Sequence, residues 1–300
     1  MHRLAIPLPE AARWRPLLEQ ALAEDLGPGD LTSELVVDPE SRGEARIEAR
    51  EPLIVCGLAV VEAVFRAVDP ELEIEAVADL CDSRPARTGD PLLRVRGRYR
   101  SILAAERTAL NFLGRLCGVA TRTRQLVEQV ADLKTELVDT RKTTPGWRAL
   151  EKYAVAVGGG VNHRIGLYDA VLVKDNHIAA AGGLDAAVER VLRQAPEGVP
   201  VQVEVESEAM AARAVELGCD FLLLDNLPPT AIRRIVERFA PGVRLEASGG
   251  IGPDNLREYA ETGVARISMG ALTHSVVCAD VALEVELEVE LLARTEERVG

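Results

Sequence analysis

The stretch VQVEVESEAMAARAVELGCDFLLLDNLPPTAIRRIVERFAPGVRLEASGGI, Val201–Ile251, fixes the class of fold. Three short runs rich in β-branched and aliphatic residues (Val201 to Val205, Phe221 to Leu224, Val243 to Ala247) alternate with amphipathic segments, Ser207 to Leu217 and Pro229 to Phe239. Each segment opens near Ser or Pro, as helices do. Strands alternating with helices imply a parallel sheet. The same rhythm continues outward through Leu137-Val138-Asp139, Ala170 to Val173, a helix over Pro253 to Glu261, and Ala265 to Ser268, giving six candidate strands.

Such a sheet closes as a barrel or stays open and doubly wound. Nearly every run here ends in charged or small polar residues, which suits a barrel whose one rim collects the active site. An open sheet would gather them at a single switch point. The expectation is an α/β class, with a TIM-like barrel over residues 116–278.

The first third reads differently. Trp14 to Asp25 has a helical pattern, stopped by Gly27-Pro28-Gly29-Asp30, and GEARIEAREPLIVCG and LLRVRGRYR alternate as strands around an amphipathic Leu58 to Val68. An α+β domain is therefore expected over residues 1–115, with a long helix from about Ile102 to Ala131 carrying the chain into the barrel. The tail from Ala279 onward is expected to form a helix over 279–300 that packs back on the first domain, although its Val-Glu repeat also has strand period.

Of the 300 residues 47% are hydrophobic and only 3% aromatic, so the core must be built from Leu, Val, Ile and Ala. A net charge of −13 opposes binding to nucleic acid and makes local clusters of cations informative. No apolar run is long enough to insert in a membrane and the N-terminus lacks an export pattern, so a cytoplasmic location is expected. The five cysteines (Cys56, Cys81, Cys117, Cys219, Cys278) are scattered without metal-ligand spacing and read as small buried residues.

The strand ends carry the chemistry. The first gives Asp139-Thr140-Arg141-Lys142-Thr143-Thr144-Pro145-Gly146, cations and hydroxyls suited to carboxylate or phosphate oxygens. Gly158-Gly159-Gly160 leads to His163 and Arg164, and Lys174 follows the apolar Ala170 to Val173, where a bound anion would satisfy it. Glu204 and Glu206 share one strand face, and Asp225 ends the next run. Magnesium, ribose hydroxyls, or an ion pair with Lys142 or Lys174 would each answer those acids. Ser248-Gly249-Gly250 and Ser268-Met269-Gly270-Ala271 expose backbone N–H groups of the kind that hold phosphate.

EDLGPGDLTS (24–33), ERTALNFLGRLCGVAT (106–121), DTRKTTPGWRALEKYAVAVGGGVNHRIGLYDAVLVKDNHI (139–178), VEVE, LLLDN, EASGGI and ISMGALTHS (267–275) together resemble the quinolinate phosphoribosyltransferases of NAD biosynthesis. The resemblance implies an N-terminal sandwich-like domain joined to an incomplete barrel. It also implies a homodimer in which Arg107 enters the partner's site, and a further hexamer is compatible with it. It assigns Arg107, Thr140, Arg141, His163, Arg164 and Lys174 to quinolinate and nearby phosphates, and Lys142 to phosphoribosyl pyrophosphate. Glu204 and Asp225 are assigned to ribose hydroxyls with magnesium nearby, and Ser248, Gly249, Gly250, Met269, Gly270 and Ala271 to the 5-phosphate. Lys142, Lys174, Glu204 and Asp225 are the catalytic candidates. Alternatives are a phosphoribosyltransferase for nicotinate or another acid, and a non-catalytic anion-binding barrel.

Overall fold

The computed structural model describes residues 6–77 and 80–286. A 3-10 turn at Ala11–Arg13, helices α1 (Arg15–Leu26) and α2 (Leu31–Val36), and strands β1 (Arg42–Ala49) and β2 (Leu53–Ile54) come first. Helix α3 (Leu58–Val68), strands β3 (Glu73–Ala76), β4 (Pro85–Ala86) and β5 (Pro91–Arg98), and helix α4 (Tyr99–Gln129) follow. Next are β6 (Glu136–Val138), α5 (Arg148–Gly158), β7 (Val171–Val173), α6 (Asp175–Ala181), α7 (Leu184–Gln194) and β8 (Val201–Val205). The described chain ends with α8 (Glu208–Glu216), β9 (Phe221–Asp225), α9 (Pro229–Phe239), β10 (Arg244–Ser248), α10 (Leu256–Ala260), β11 (Arg266–Ser268), α11 (Ala271–His274) and β12 (Val281–Glu286).

Two units divide the chain. The first holds the described residues up to 122, with 149–158 and 276–286; the second holds 123–148 and 159–275. The compact units divide inside α4, between residues 122 and 123. Residues 149–158 return to the first unit, which the sequence did not suggest.

In the first unit an antiparallel sheet runs β12-β1-β5-β3. Alternation decides its faces: Ala45, Ile47 and Ala49 are buried, while Glu44 pairs with Arg94 and Arg96 of β5 and Arg46 pairs with Glu48 along its own strand. The expected C-terminal helix over 279–300 is overturned where it can be seen. Val281–Glu286 is a strand in antiparallel register with β1, from Ala49↔Val281 to Glu44↔Glu286. Its period-two sequence fits a free sheet edge, and Glu284 and Glu286 pair with Arg50 and Arg46. Residues 287–300 lie outside the described residues.

In the second unit six parallel strands run β6-β11-β10-β9-β8-β7. Val203, Val205, Leu222, Leu224, Leu245 and Ala247 are buried on the side that answers the apolar stripes of α8 (Ala211, Ala214) and α9 (Ile232, Ile235). Removing a side chain such as Leu222 from water is worth ~2 kcal/mol. The alternate positions Gln202, Glu204, Leu223 and Glu246 face the other way. β6 and β7 are the two sheet edges, and Val161 adds an isolated parallel bridge beside Val138. The ends of all six strands reach one cavity, as a barrel requires and an open sheet does not.

All five cysteines are free thiols. Cys56, Cys117 and Cys219 are buried as expected, but Cys81 and Cys278 are exposed. Burial pushes the Cys117 thiol up to about 12 and that of Cys219 to about 11, so neither is a nucleophile near neutral pH.

Candidate active site

The cavity at the strand ends measures ≈ 770 Å³, within the range of small-molecule sites. Its wall includes every sequence-derived candidate of the barrel: Thr140, Arg141 and Lys142 after β6, and His163 and Arg164 before β7. Lys174, Glu204 and Asp225 follow β7, β8 and β9, and the Ser248-Gly249-Gly250 and Met269-Gly270-Ala271 loops follow β10 and β11. Glu206 is the exception. β8 ends at Val205, so Glu206 lies beyond the alternation, is exposed and does not line the cavity. Arg107 is exposed on α4 in the first unit and is not part of this wall.

Asp139, fully buried, anchors the basic side. Its carboxylate accepts hydrogen bonds from Asn162 Nδ2 (2.7 Å) and from the His163 backbone N–H (2.8 Å), tying the loop that follows the glycines to the end of β6. The His163 ring is held inside the wall. Nδ1 accepts the Arg164 N–H at 2.8 Å, and Nε2 lies 3.0 Å from Gln202 Oε1 and 3.4 Å from Glu246 Oε1. The tautomer consistent with these contacts carries its proton on Nε2.

Arg164 donates to the Ala170 carbonyl (3.0 Å), and both its burial and the nearby Arg141 charge hold its pKa below the ordinary guanidinium value. Among the described residues neither Arg141, Lys142 nor Arg164 forms an ion pair. Cations left so close together make a strong site for polyanions. Lys142 is anchored through its backbone, its N–H reaching Thr140 Oγ1 (3.0 Å) and its carbonyl accepting from Thr273 Oγ1 (2.7 Å).

Opposite them stand the acids. Glu204 is buried and bound to Lys174 Nζ at 2.9 Å, one of the partnerships its sequence left open. Asp225 accepts from Asn226 Nδ2 at 2.6 Å. Asn226 occupies the left-handed region (φ 54°), where its N–H reaches the Ser248 carbonyl at 2.9 Å. Gly249 packs against that residue at φ 93°: a Cβ there would fall on the Asn226 amide, so this position must be glycine.

Sequence reasoning missed Asn226, Arg148, Gln202, Glu246 and His274, all but Gln202 on the wall itself. Glu246 and Gln202 alternate with buried valine, leucine and alanine, and that inward phase was the available signal. Both carboxylate oxygens of Glu246 are buried without a hydrogen bond among the described residues, and Arg266 Nη1 stands 3.8 Å away.

Relatives supply an independent comparison. The C-terminal domain model of quinolinate phosphoribosyl transferase matches residues 119–284, and the N-terminal domain model matches 30–117. A nicotinate-nucleotide pyrophosphorylase [carboxylating] of Mycobacterium leprae is 42% identical over 278 residues, covering 90% of this chain and 96% of the relative. A quinolinate phosphoribosyltransferase [decarboxylating] of Nicotiana tabacum is 35% identical, covering 92% of this chain and 83% of its own length. The solved nicotinate-nucleotide pyrophosphorylase of Francisella tularensis superposes with a TM-score of 0.89 at 36% identity, over 95% of this chain and 100% of that one. With both domain models matched in order along one chain, the protein belongs to the quinolinate phosphoribosyltransferase family.

Proposed function

We propose that the protein converts quinolinate and phosphoribosyl pyrophosphate to nicotinate mononucleotide, pyrophosphate and carbon dioxide, the reaction after which its relatives are named. One observation carries the reading: Arg141, Lys142 and Arg164, which form no ion pair among the described residues, share a single cavity with the acids Glu204 and Asp225 and with two small-residue loops. A dicarboxylate suits the guanidiniums, a ribose suits the acids, and a phosphate suits the loop amides.

The pyridine nitrogen attacks the ribosyl C1, and the C1–O bond breaks with its electron pair leaving on pyrophosphate. The C2–carboxylate bond then breaks, the pair resting on C2 beside the pyridinium nitrogen until a solvent proton replaces carbon dioxide. No protein nucleophile is needed, so positioning and electrostatics supply the rate. In this scheme Arg141, Arg164, Thr140 and His163 address the quinolinate side. Lys142 and Lys174 address departing or bound anions, with Lys174 exchanging Glu204 for substrate. Ser248, Gly249, Gly250, Met269, Gly270 and Ala271 face the 5-phosphate.

Magnesium would enter with the pyrophosphate and neutralise its oxygens. Among the described residues no three His, Cys, Asp or Glu side chains form a metal cage, which fits an ion carried by substrate and held by Glu204 and Asp225 directly or through water. Exposed Arg107 suits the role of reaching a partner subunit in a homodimer, with a hexamer as a further assembly. No helix among the described residues is long and apolar enough to cross a membrane, and a cytoplasmic location suits such an enzyme.

The test is to incubate the protein with magnesium, phosphoribosyl pyrophosphate and quinolinate labelled at the C2 carboxylate. Labelled carbon dioxide is expected; product from nicotinate without release from quinolinate would overturn the reading in favour of a different acid substrate, and absence of both products would leave an anion-binding barrel.

A further inference from the structure

Arg148 opens α5, where a cation is disfavoured because the helix N-terminus carries partial positive charge. Its guanidinium is nevertheless held by three acceptors: Nε donates to Thr143 Oγ1 (3.0 Å), Nη1 to the Ile165 carbonyl (3.1 Å) and Nη2 to the Arg141 carbonyl (3.3 Å). All three are uncharged, and Arg148 makes no ion pair among the described residues. The acceptors lie on two loops, one carrying Thr140, Arg141 and Lys142 and the other His163 and Arg164.

Those loops repel each other at their working ends, since the Arg141 charge is among the causes that depress the Arg164 pKa. The far side of the second loop is fixed independently. Asp169 accepts the N–H groups of Ile165 (2.7 Å) and Gly166 (2.8 Å), which sets the direction of the Ile165 carbonyl that Arg148 grips.

We infer that Arg148 is a positioning residue that cross-braces the two loops and sets the spacing of Arg141 and Arg164 to that of a dicarboxylate. The inference rests on the quinolinate reading above. A planar fork with five donors can span three acceptors at once, whereas a lysine ammonium on a flexible stem cannot hold the same geometry. The brace therefore depends on shape, and charge alone does not replace it.

The experiment measures kcat and KM for each substrate in Arg148→Lys, Arg148→Ala and the milder Thr143→Val, which removes one acceptor. Arg148→Lys is expected to raise KM for quinolinate about tenfold or more, nearly as much as Arg148→Ala, since displacements of an ångström at a site cost up to about 100-fold. KM for phosphoribosyl pyrophosphate should stay within about threefold, and Thr143→Val should shift KM for quinolinate in the same sense by less. Near-normal quinolinate KM in Arg148→Lys beside a large rise in Arg148→Ala would mean direct contact with the anion and would overturn the brace. Equal losses for both substrates would reduce Arg148 to a fold-maintaining role and also overturn it. An inactive parent protein would instead defeat the quinolinate reading, and Thr143→Val keeps the test alive if both arginine variants misfold.

Discussion

Arginine serves opposite ends on the antiparallel sheet of the first unit and on the cavity wall of the second. On the antiparallel sheet of the first, Arg46, Arg50, Arg94, Arg96 and Arg98 each lie against a carboxylate, for example Arg96 to Glu44 at 2.5 Å and Arg98 to Glu71 at 3.3 Å. On the cavity wall of the second, Arg141, Arg148 and Arg164 have no carboxylate partner among the described residues and lean on backbone carbonyls or on nothing charged. Neutralised arginines on an exposed sheet face add little stability and leave no appetite for anions. Arginines denied partners are held at an energetic cost that binding relieves, which is how a chain of net charge −13 can attract polyanionic substrates.

Three changes test that contrast. The largest effect should come from Arg164→Ala, which removes a wall cation: kcat/KM for quinolinate should fall by about 10²–10³-fold, equivalent to ~3–4 kcal/mol. Thermal unfolding without substrate should shift by about 2 °C or less, because relief of repulsion with Arg141 offsets the lost bond to Ala170. A large loss of stability there would break the contrast. Glu44→Ala removes a carboxylate that Arg94 and Arg96 share on the sheet, and should lower the unfolding midpoint by about 3 °C or less with kcat/KM unchanged.

The smallest effect concerns pH. Asp69 is held below its ordinary pKa of 3.8 chiefly by the Ser101 hydroxyl, with the Glu71 N–H and the Arg98 charge adding to it. A depressed carboxylate stabilises the fold above its unfolded pKa, and that contribution is lost as pH falls through the folded value. Stability should therefore decline below about pH 3.8, and Asp69→Asn should flatten this acid limb. An identical limb in the variant would assign the decline to other carboxylates.

The barrel was legible because each of its strands is short, apolar and terminated by polar residues, so Arg141, Lys174 and Asp225 announced the rim by position. Glu204 was legible through period-two alternation, but the same rule over-reached to Glu206, one residue past the end of β8. Glu246 and Gln202 were hidden inside strands whose apolar neighbours drew the eye. Arg148 was hidden because only the fold reveals that Thr143, Arg141 and Ile165 converge on it. The tail was misread because a Val-Glu repeat satisfies either structure until an edge for it to join is known, and β1 provides that edge.

That edge strand has a consequence for the order in which the protein can be made. β1 leaves the ribosome before every strand of the second unit, yet its partner β12 follows them all along the chain. Throughout synthesis of the barrel, β1 keeps one row of backbone donors and acceptors without the strand that later covers them. The first unit to begin folding is thus the last to finish, and its closure between Ala49 and Val281 is the slow, non-local kind of pairing that leaves a nascent chain open to association with its neighbours.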